Sequence, residues 1–171
     1  MRQRRLFFAL WPDDAVRQAL FHWQTHNLPA TVRWQHRADL HMTLHFLGMV
    51  EADRVETLVR IGDSVAATGF TLVLDQIGHF PGARVLWAGP TSVPRALKGL
   101  HGRLGEGLRG ADFDTEARRY RPHVTLARKV CRGEGFGPLE PLTWTATEMA
   151  LVESRTGDAP MYHPLHRWRL A

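Results

Sequence analysis

Apolar residues along the chain recur with two periods, one of two residues and one between three and four, and the succession of these periods lays out the secondary structure. Near the start, Leu6-Phe7-Phe8-Ala9-Leu10-Trp11 is a continuous apolar run that stops at Pro12-Asp13-Asp14, as a buried first strand does. Asp13 or Asp14 then caps a helix whose apolar positions Val16, Ala19, Leu20 and Trp23 fall at i, i+3, i+4 and i+7. A second strand is predicted over 40–47 with Gly48 closing it. A helix is predicted over 51–68, with Val55, Leu58, Val59, Val65 and Ala66 on one face and Gly69 as its stop. Strands over 70–77 and 84–88 flank the turn residues Phe80-Pro81-Gly82. A third helix over 93–108 presents Val93, Leu97, Leu100, Leu104 and Leu108 on one face. Its glycines Gly99, Gly102 and Gly105 each weaken it by up to about 1 kcal/mol relative to Ala, so packing must hold it. A polar stretch at 112–119, a further strand, a Gly- and Pro-containing loop at 132–141, and strands over 144–153 and 162–170 complete the chain.

Strands and helices in this order do not alternate strictly, which predicts an α+β fold rather than a doubly wound sheet. No linker or low-complexity tract divides the sequence, so residues 1–171 are expected to form one domain. The length and the 44% hydrophobic content suffice for a core of its own. The 22 Lys and Arg against 17 Asp and Glu give +5, a modest balance that favours an anionic partner without naming one. Cys131 is the one cysteine, which excludes an internal disulfide, a Cys-rich zinc site and a two-thiol redox motif, and a reducing cytoplasm is the expected compartment. Met1-Arg2-Gln3-Arg4-Arg5 before the first apolar run imitates a signal peptide, but the run is too short and lacks a small-residue cleavage site. No apolar segment is long enough to span a membrane.

The chemistry concentrates in one repeated tetrapeptide, His41-Met42-Thr43-Leu44 and His123-Val124-Thr125-Leu126. On a strand, residues i and i+2 share a face, so each copy presents an imidazole beside a hydroxyl. If the two strands are neighbours, two His and two Thr converge, and the repeat suggests two similar halves facing each other across that cleft. Such a set suits acid–base chemistry on an anion such as a phosphate.

The longer contexts, Asp39-Leu40-His41-Met42-Thr43-Leu44-His45-Phe46-Leu47-Gly48 and Arg121-Pro122-His123-Val124-Thr125-Leu126-Ala127-Arg128, resemble the 2H phosphoesterase superfamily. The resemblance is strongest to its bacterial RNA 2',3'-cyclic phosphodiesterases, also called 2'-5' RNA ligases. It extends to Arg5-Leu6-Phe7-Phe8-Ala9-Leu10, to Val85-Leu86-Trp87-Ala88-Gly89, and to Tyr162-His163-Pro164-Leu165 with Trp168 and Leu170. It implies a bilobal α+β arrangement around a central groove, with His41, Thr43, His123 and Thr125 in the catalytic site and Arg128 as the basic residue after the second motif. The implied substrate is an RNA or nucleotide bearing a 2',3'-cyclic phosphate, hydrolysed to a 2'-phosphate, with 2'-5' ligation as the reverse reaction.

Opening a cyclic phosphate needs one group to take a proton from water and another to give one to the departing ribose oxygen, and imidazole suits both. His123 is assigned as general base and His41 as general acid, while Thr43, Thr125 and Arg128 hold the non-bridging oxygens. This scheme calls for no metal and no other cofactor, and a monomer is expected. His45, at i+4 from His41, is either a third imidazole at the rim or a partly exposed surface side chain, and the second reading is preferred. A zinc hydrolase built on His41 and His45 lacks the Glu of a His-Glu-x-x-His helix, since Met42 stands there. A noncatalytic RNA-binding module leaves the matched motifs unexplained. Phe46, Phe80 and Trp34 are candidates to stack on a base, whereas Trp87 reads as core. Arg2, Arg4, Arg5, Arg118, Arg119 and Arg121 form basic clusters without a specific role. The remaining His read as structural.

Overall fold

In the computed structural model, which describes residues 2–65 and 67–171, the first apolar run forms β1 (Gln3–Leu10) and is buried on both faces. Leu6, Phe8 and Leu10 point into the main core, while Phe7, Ala9 and the following Trp11 form a second, smaller cluster with Ala150 and Val152. A strand covered on both sides has no polar face, which is why its sequence shows no alternation. Asp13 caps α1 (Asp14–Asn27), its carboxylate accepting from the Val16 N–H at 2.9 Å.

The chain continues through β2 (Arg33–Trp34), β3 (Met42–Glu51), α2 (Val55–Val65), β4 (Phe70–Leu74), β5 (Gln76–Phe80) and β6 (Val85–Gly89). Then follow α3 (Arg95–Gly110), β7 (Val124–Arg128), β8 (Leu142–Ala146), β9 (Glu148–Ser154) and β10 (Tyr162–Arg169). The described pairings are all antiparallel. The main sheet runs β10-β9-β1-β3-β7-β6-β5, with β2 also on β7, and β4 pairs with β8 in a separate two-stranded sheet. With three α-helices beside antiparallel sheets among the described residues the fold is α+β, as the order of elements predicted. The two expected halves are not separate sheets, because β3 and β7 join them through the single register pair Met42 and Val124, the residues that follow the two motif histidines.

Five boundaries differ from the sequence reading. The strand predicted over 70–77 ends at Leu74 and resumes at Gln76, its halves belonging to different sheets; the segment predicted over 144–153 breaks in the same way at Thr147. A continuous β pattern carries no mark of the sheet each half joins. Gly48 does not close β3, which runs on to Glu51; it takes φ +70 at a register shift against β1 and lets the strand continue past a bulge. The helix predicted over 51–68 starts as a 3-10 turn at Ala52–Arg54, and Ala66 lies outside the described residues. α3 starts after Pro94, whose extended backbone makes it the N-cap, and so excludes Val93. The α3 leucines Leu97, Leu100, Leu104 and Leu108 are fully buried, which is the packing its glycines require. Gly62 of α2 lies so close to the Trp168 ring that a Cβ there would sit 2.2 Å from it, and the indole N–H donates to Asp63 at 2.7 Å. Among the described residues no helix is long and apolar enough to cross a membrane.

Candidate active site

His41 and His123 stand immediately before β3 and β7, and the two neighbouring strands place both imidazoles in one cleft of about 780 Å³. The lining also includes Thr43, Thr125 and Arg128, so all five residues singled out in the sequence are brought together.

The two motifs are built alike. His41 Nδ1 lies 2.7 Å from the Asp39 carbonyl, and His123 Nδ1 lies 2.8 Å from the Arg121 carbonyl, two residues upstream in each case. A carbonyl only accepts, so Nδ1 carries the proton in both rings and Nε2 is left with its lone pair. Each motif strand is also bulged at the same place. Against β1, Phe8 pairs with His45 and Ala9 with Thr43, which leaves Leu44 as the extra residue; against β6, Leu86 pairs with Ala127 and Trp87 with Thr125, which leaves Leu126. The leucine of each tetrapeptide is thus the bulge residue and is buried in the core, while the Thr before it lines the cleft.

Aromatic rings fix both imidazoles. His41 packs against Phe7 at 4.8 Å, edge-on to Tyr162 at 4.9 Å, and beside Trp11 at 6.2 Å. His123 meets Phe80 edge-on at 5.0 Å and has Trp87 behind it at 6.1 Å. Burial in these apolar surroundings pushes both pKa values down, that of His41 to about 4. The hydrogen bonds to the upstream carbonyls oppose the shift, and Arg128 adds to it at both rings. In the free protein at neutral pH both rings are therefore neutral. The Thr43 hydroxyl lies 3.0 Å from His41 Nε2 and donates to its lone pair.

Arginines dominate the rim: Arg5, Arg118, Arg119, Arg121 and Arg128 line the cleft beside the single carboxylate of Glu116. Arg121 lies over Phe80 at 4.8 Å and Arg5 over Phe46 at 4.9 Å. Of the other basic residues, Arg4 pairs with Glu153 at 3.6 Å instead. Phe46, 42% exposed, and Phe80 both line the cleft, whereas Trp34 packs against the core away from it and donates its indole N–H to the Pro29 carbonyl. Trp87 is buried as expected, in space that Gly78 and Gly89 leave for its ring.

His45 is not a surface side chain. It is 7% exposed, donates from Nε2 to the His101 carbonyl at 2.8 Å, and stacks on the His101 ring at 4.1 Å. The Leu44 bulge turns both Leu44 and His45 inward, and Gly105 of α3 clears the space, since a Cβ there would lie 3.2 Å from the His45 ring. With Nε2 committed to that carbonyl, His45 does not form the zinc pair with His41 that the spacing allowed. Among the described residues no three His, Cys, Asp or Glu side chains are placed to hold a metal ion. His101 stacks in turn on Tyr120 at 3.8 Å, and the Tyr120 hydroxyl donates to the Thr43 carbonyl at 2.8 Å. Burial holds His45 and His101 in their neutral forms, His101 at about 4, and raises the Tyr120 pKa so that the phenol stays a donor.

Sequence reasoning missed Tyr120, His101 and the carboxylate of Asp39. Asp39 is almost fully buried and accepts from the backbone N–H groups of Met161 at 2.9 and 3.1 Å and of Tyr162 at 3.0 Å. It therefore anchors the start of β10, whose Tyr162 ring braces His41. Its place two residues before the first motif was the one available signal.

Residues 12–158 match the family described as the 2'-5' RNA ligase superfamily. The chain belongs to the 2'-5' RNA ligase superfamily. It is 34% identical to the RNA 2',3'-cyclic phosphodiesterase of Escherichia coli (strain K12), over 98% of this chain and 97% of that protein. The crystal structure of E. coli LigT complexed with 3'-AMP superposes with a TM-score of 0.91 at 31% identity, covering 99% of both chains. That of TT0787 from Thermus thermophilus superposes with a TM-score of 0.84 at 27% identity, covering 97% of both.

Proposed function

We infer that this member of the superfamily hydrolyses the 2',3'-cyclic phosphate of an RNA or nucleotide to a 2'-phosphate, without a metal, and that 2'-5' ligation is its reverse reaction. The observation that carries this reading is the matched pair of imidazoles, each with its Nδ1 proton tied to a carbonyl and its Nε2 left unprotonated, that of His41 accepting from Thr43. The E. coli relative, named for this activity, covers nearly the whole chain at 34% identity. The matched motifs, their matched bulges and the Met42–Val124 pair between them support a pseudo-twofold, bilobal reading of one domain.

In this reading His123, neutral and with Nε2 unprotonated, takes the proton from the attacking water. His41 gives a proton from Nε2 to the departing 3' oxygen. The depressed pKa of His41 is the reverse of what a standing acid needs, and the substrate supplies the correction: an anionic phosphate against the ring favours imidazolium. Once Nε2 is protonated it no longer accepts from Thr43, whose hydroxyl is released to donate to a non-bridging oxygen. Thr125 and Arg128 complete the anion clamp, and the five rim arginines favour a polyanion over a neutral ligand. Incubation of the chelated protein with a 2',3'-cyclic nucleotide tests the reading: turnover is expected, and failure to turn over any cyclic phosphate would overturn it.

A further inference from the structure

A second cavity, of about 440 Å³, opens on the other side of the ring wall that braces His41. Trp11 and Tyr162 line it, and so do Arg17, Arg37, Arg167, His36 and Asp14. Three guanidiniums thus face one carboxylate. Tyr162 also lines the catalytic cleft, so the two cavities share a wall.

Arg17 is the unusual member. It is 7% exposed, and its Cζ lies 4.8 Å over the Trp11 ring that packs beside His41. Nε donates to the Pro12 carbonyl and Nη1 to the Arg37 carbonyl, but buried Nη2 has no partner among the described residues. No carboxylate lies within 4 Å of Arg17 or Arg37 among the described residues, whereas Arg167 is held by Glu148 at 3.1 Å. A buried guanidinium with an unused donor and no ion pair is costly unless an anion completes it. His36 adds another donor, because its Nδ1 accepts from the Ala38 N–H and leaves the proton on Nε2.

We propose that this pocket binds an internucleotide phosphate of an RNA whose cyclic end occupies the catalytic cleft, so that the preferred substrate is an oligonucleotide rather than a mononucleotide. The proposal rests on the function inferred above. A strand seated with its last ribose beside His41 passes the Trp11–Tyr162 wall, and the phosphate beyond it meets Arg17 and Arg37. Such a contact is made equally in the ground and transition states, so its loss raises KM and leaves kcat.

The test compares adenosine 2',3'-cyclic phosphate with a trinucleotide ending in the same group, in the wild-type protein and in Arg37→Ala, Arg37→Lys and Arg167→Ala. Arg37 and Arg167 lie at the surface, so these variants spare the buried Arg17 and the fold. Arg37→Ala is expected to lose about tenfold in kcat/KM for the trinucleotide through KM, and little for the mononucleotide, with partial rescue by Arg37→Lys, and Arg167→Ala is expected to lose less, since Glu148 already holds that guanidinium. Equal losses for both ligands, or none for either, would overturn the pocket as a strand site. Ala variants that weaken binding of inorganic phosphate but not of the trinucleotide would also overturn it, by identifying a site for free anion. Absence of turnover of both ligands by the wild-type protein would instead overturn the functional reading itself.

Discussion

At the residue scale, the account rests on two imidazoles whose protons are placed by backbone carbonyls. His41→Ala and His123→Ala should each lower kcat by roughly 10²–10⁴ while leaving the circular dichroism spectrum unchanged, and Thr43→Ala and Thr125→Ala should lose less. Near-wild-type turnover in either His variant would remove that His from proton transfer. The pH profile follows from the direction of the shifts. Both pKa values lie below the usual 6.5, that of His41 near 4, so raising the pH strips the proton from His41 well before neutrality. The competent form of the free enzyme, protonated at His41 and neutral at His123, is therefore most populated on the acid side of neutrality. The kcat/KM profile should peak there and fall through pH 7, whereas the kcat profile should be displaced to higher pH by the bound phosphate. An optimum of kcat/KM above pH 8 would contradict the assignment. His41 with Thr43 and His123 with Thr125 were legible because a spacing of two on a strand projects both members to one face, whereas Arg128 came only from the resemblance to the superfamily. Asp39, His101 and Tyr120 were not, since their contacts join segments between 56 and 123 residues apart, or act through a neighbour's ring, and neither leaves a local pattern.

At the scale of elements, the site depends on how two strands are bent and braced. The bulges at Leu44 and Leu126 send those leucines into the core beside cleft-facing threonines, and the stack of His45, His101 and Tyr120 ties α3 and the segment before β7 to β3. Tyr120→Phe removes the donor to the Thr43 carbonyl while keeping the stack. It should cost about 0.5–1.5 kcal/mol in a urea titration and lower kcat more than it raises KM, because it loosens the strand that presents Thr43 and His41. An effect on stability alone would make Tyr120 a packing residue only. Most elements followed from the apolar pattern, because α1, α2 and α3 each bury a definite face and β1 is a continuous apolar run covered on both. The breaks at Asp75 and Thr147 and the passage of β3 through Gly48 did not, because each depends on a partner strand rather than on the local sequence.

For the molecule as a whole, the consequence of joining two half-sheets at one register pair is a single cleft with His41 and His123 at its centre and arginines around it. The sequence showed the repeat and its likeness to a known superfamily; the clustering of Arg5, Arg118 and Arg119 with Arg121 and Arg128 became visible only once residues far apart in the chain met at one rim. Exposed charges on that rim are screened by salt, and a longer RNA meets more of them. Between 50 and 200 mM salt, affinity for an oligonucleotide should fall more steeply than for a cyclic mononucleotide, as read by fluorescence anisotropy. Equal slopes would confine recognition to the reacting phosphate. The central claim, that two histidines fixed about one phosphorus open the ring, is tested most directly by the position of the phosphate in the product. In-line attack with His123 on the water and His41 on the leaving oxygen lets one ribose oxygen depart. In the presence of chelator, phosphorus NMR of a digested, cyclic-phosphate-ended RNA should show the 2'-phosphate alone; a 3'-phosphate product would contradict the account by reversing the orientation on which His41 as the acid depends.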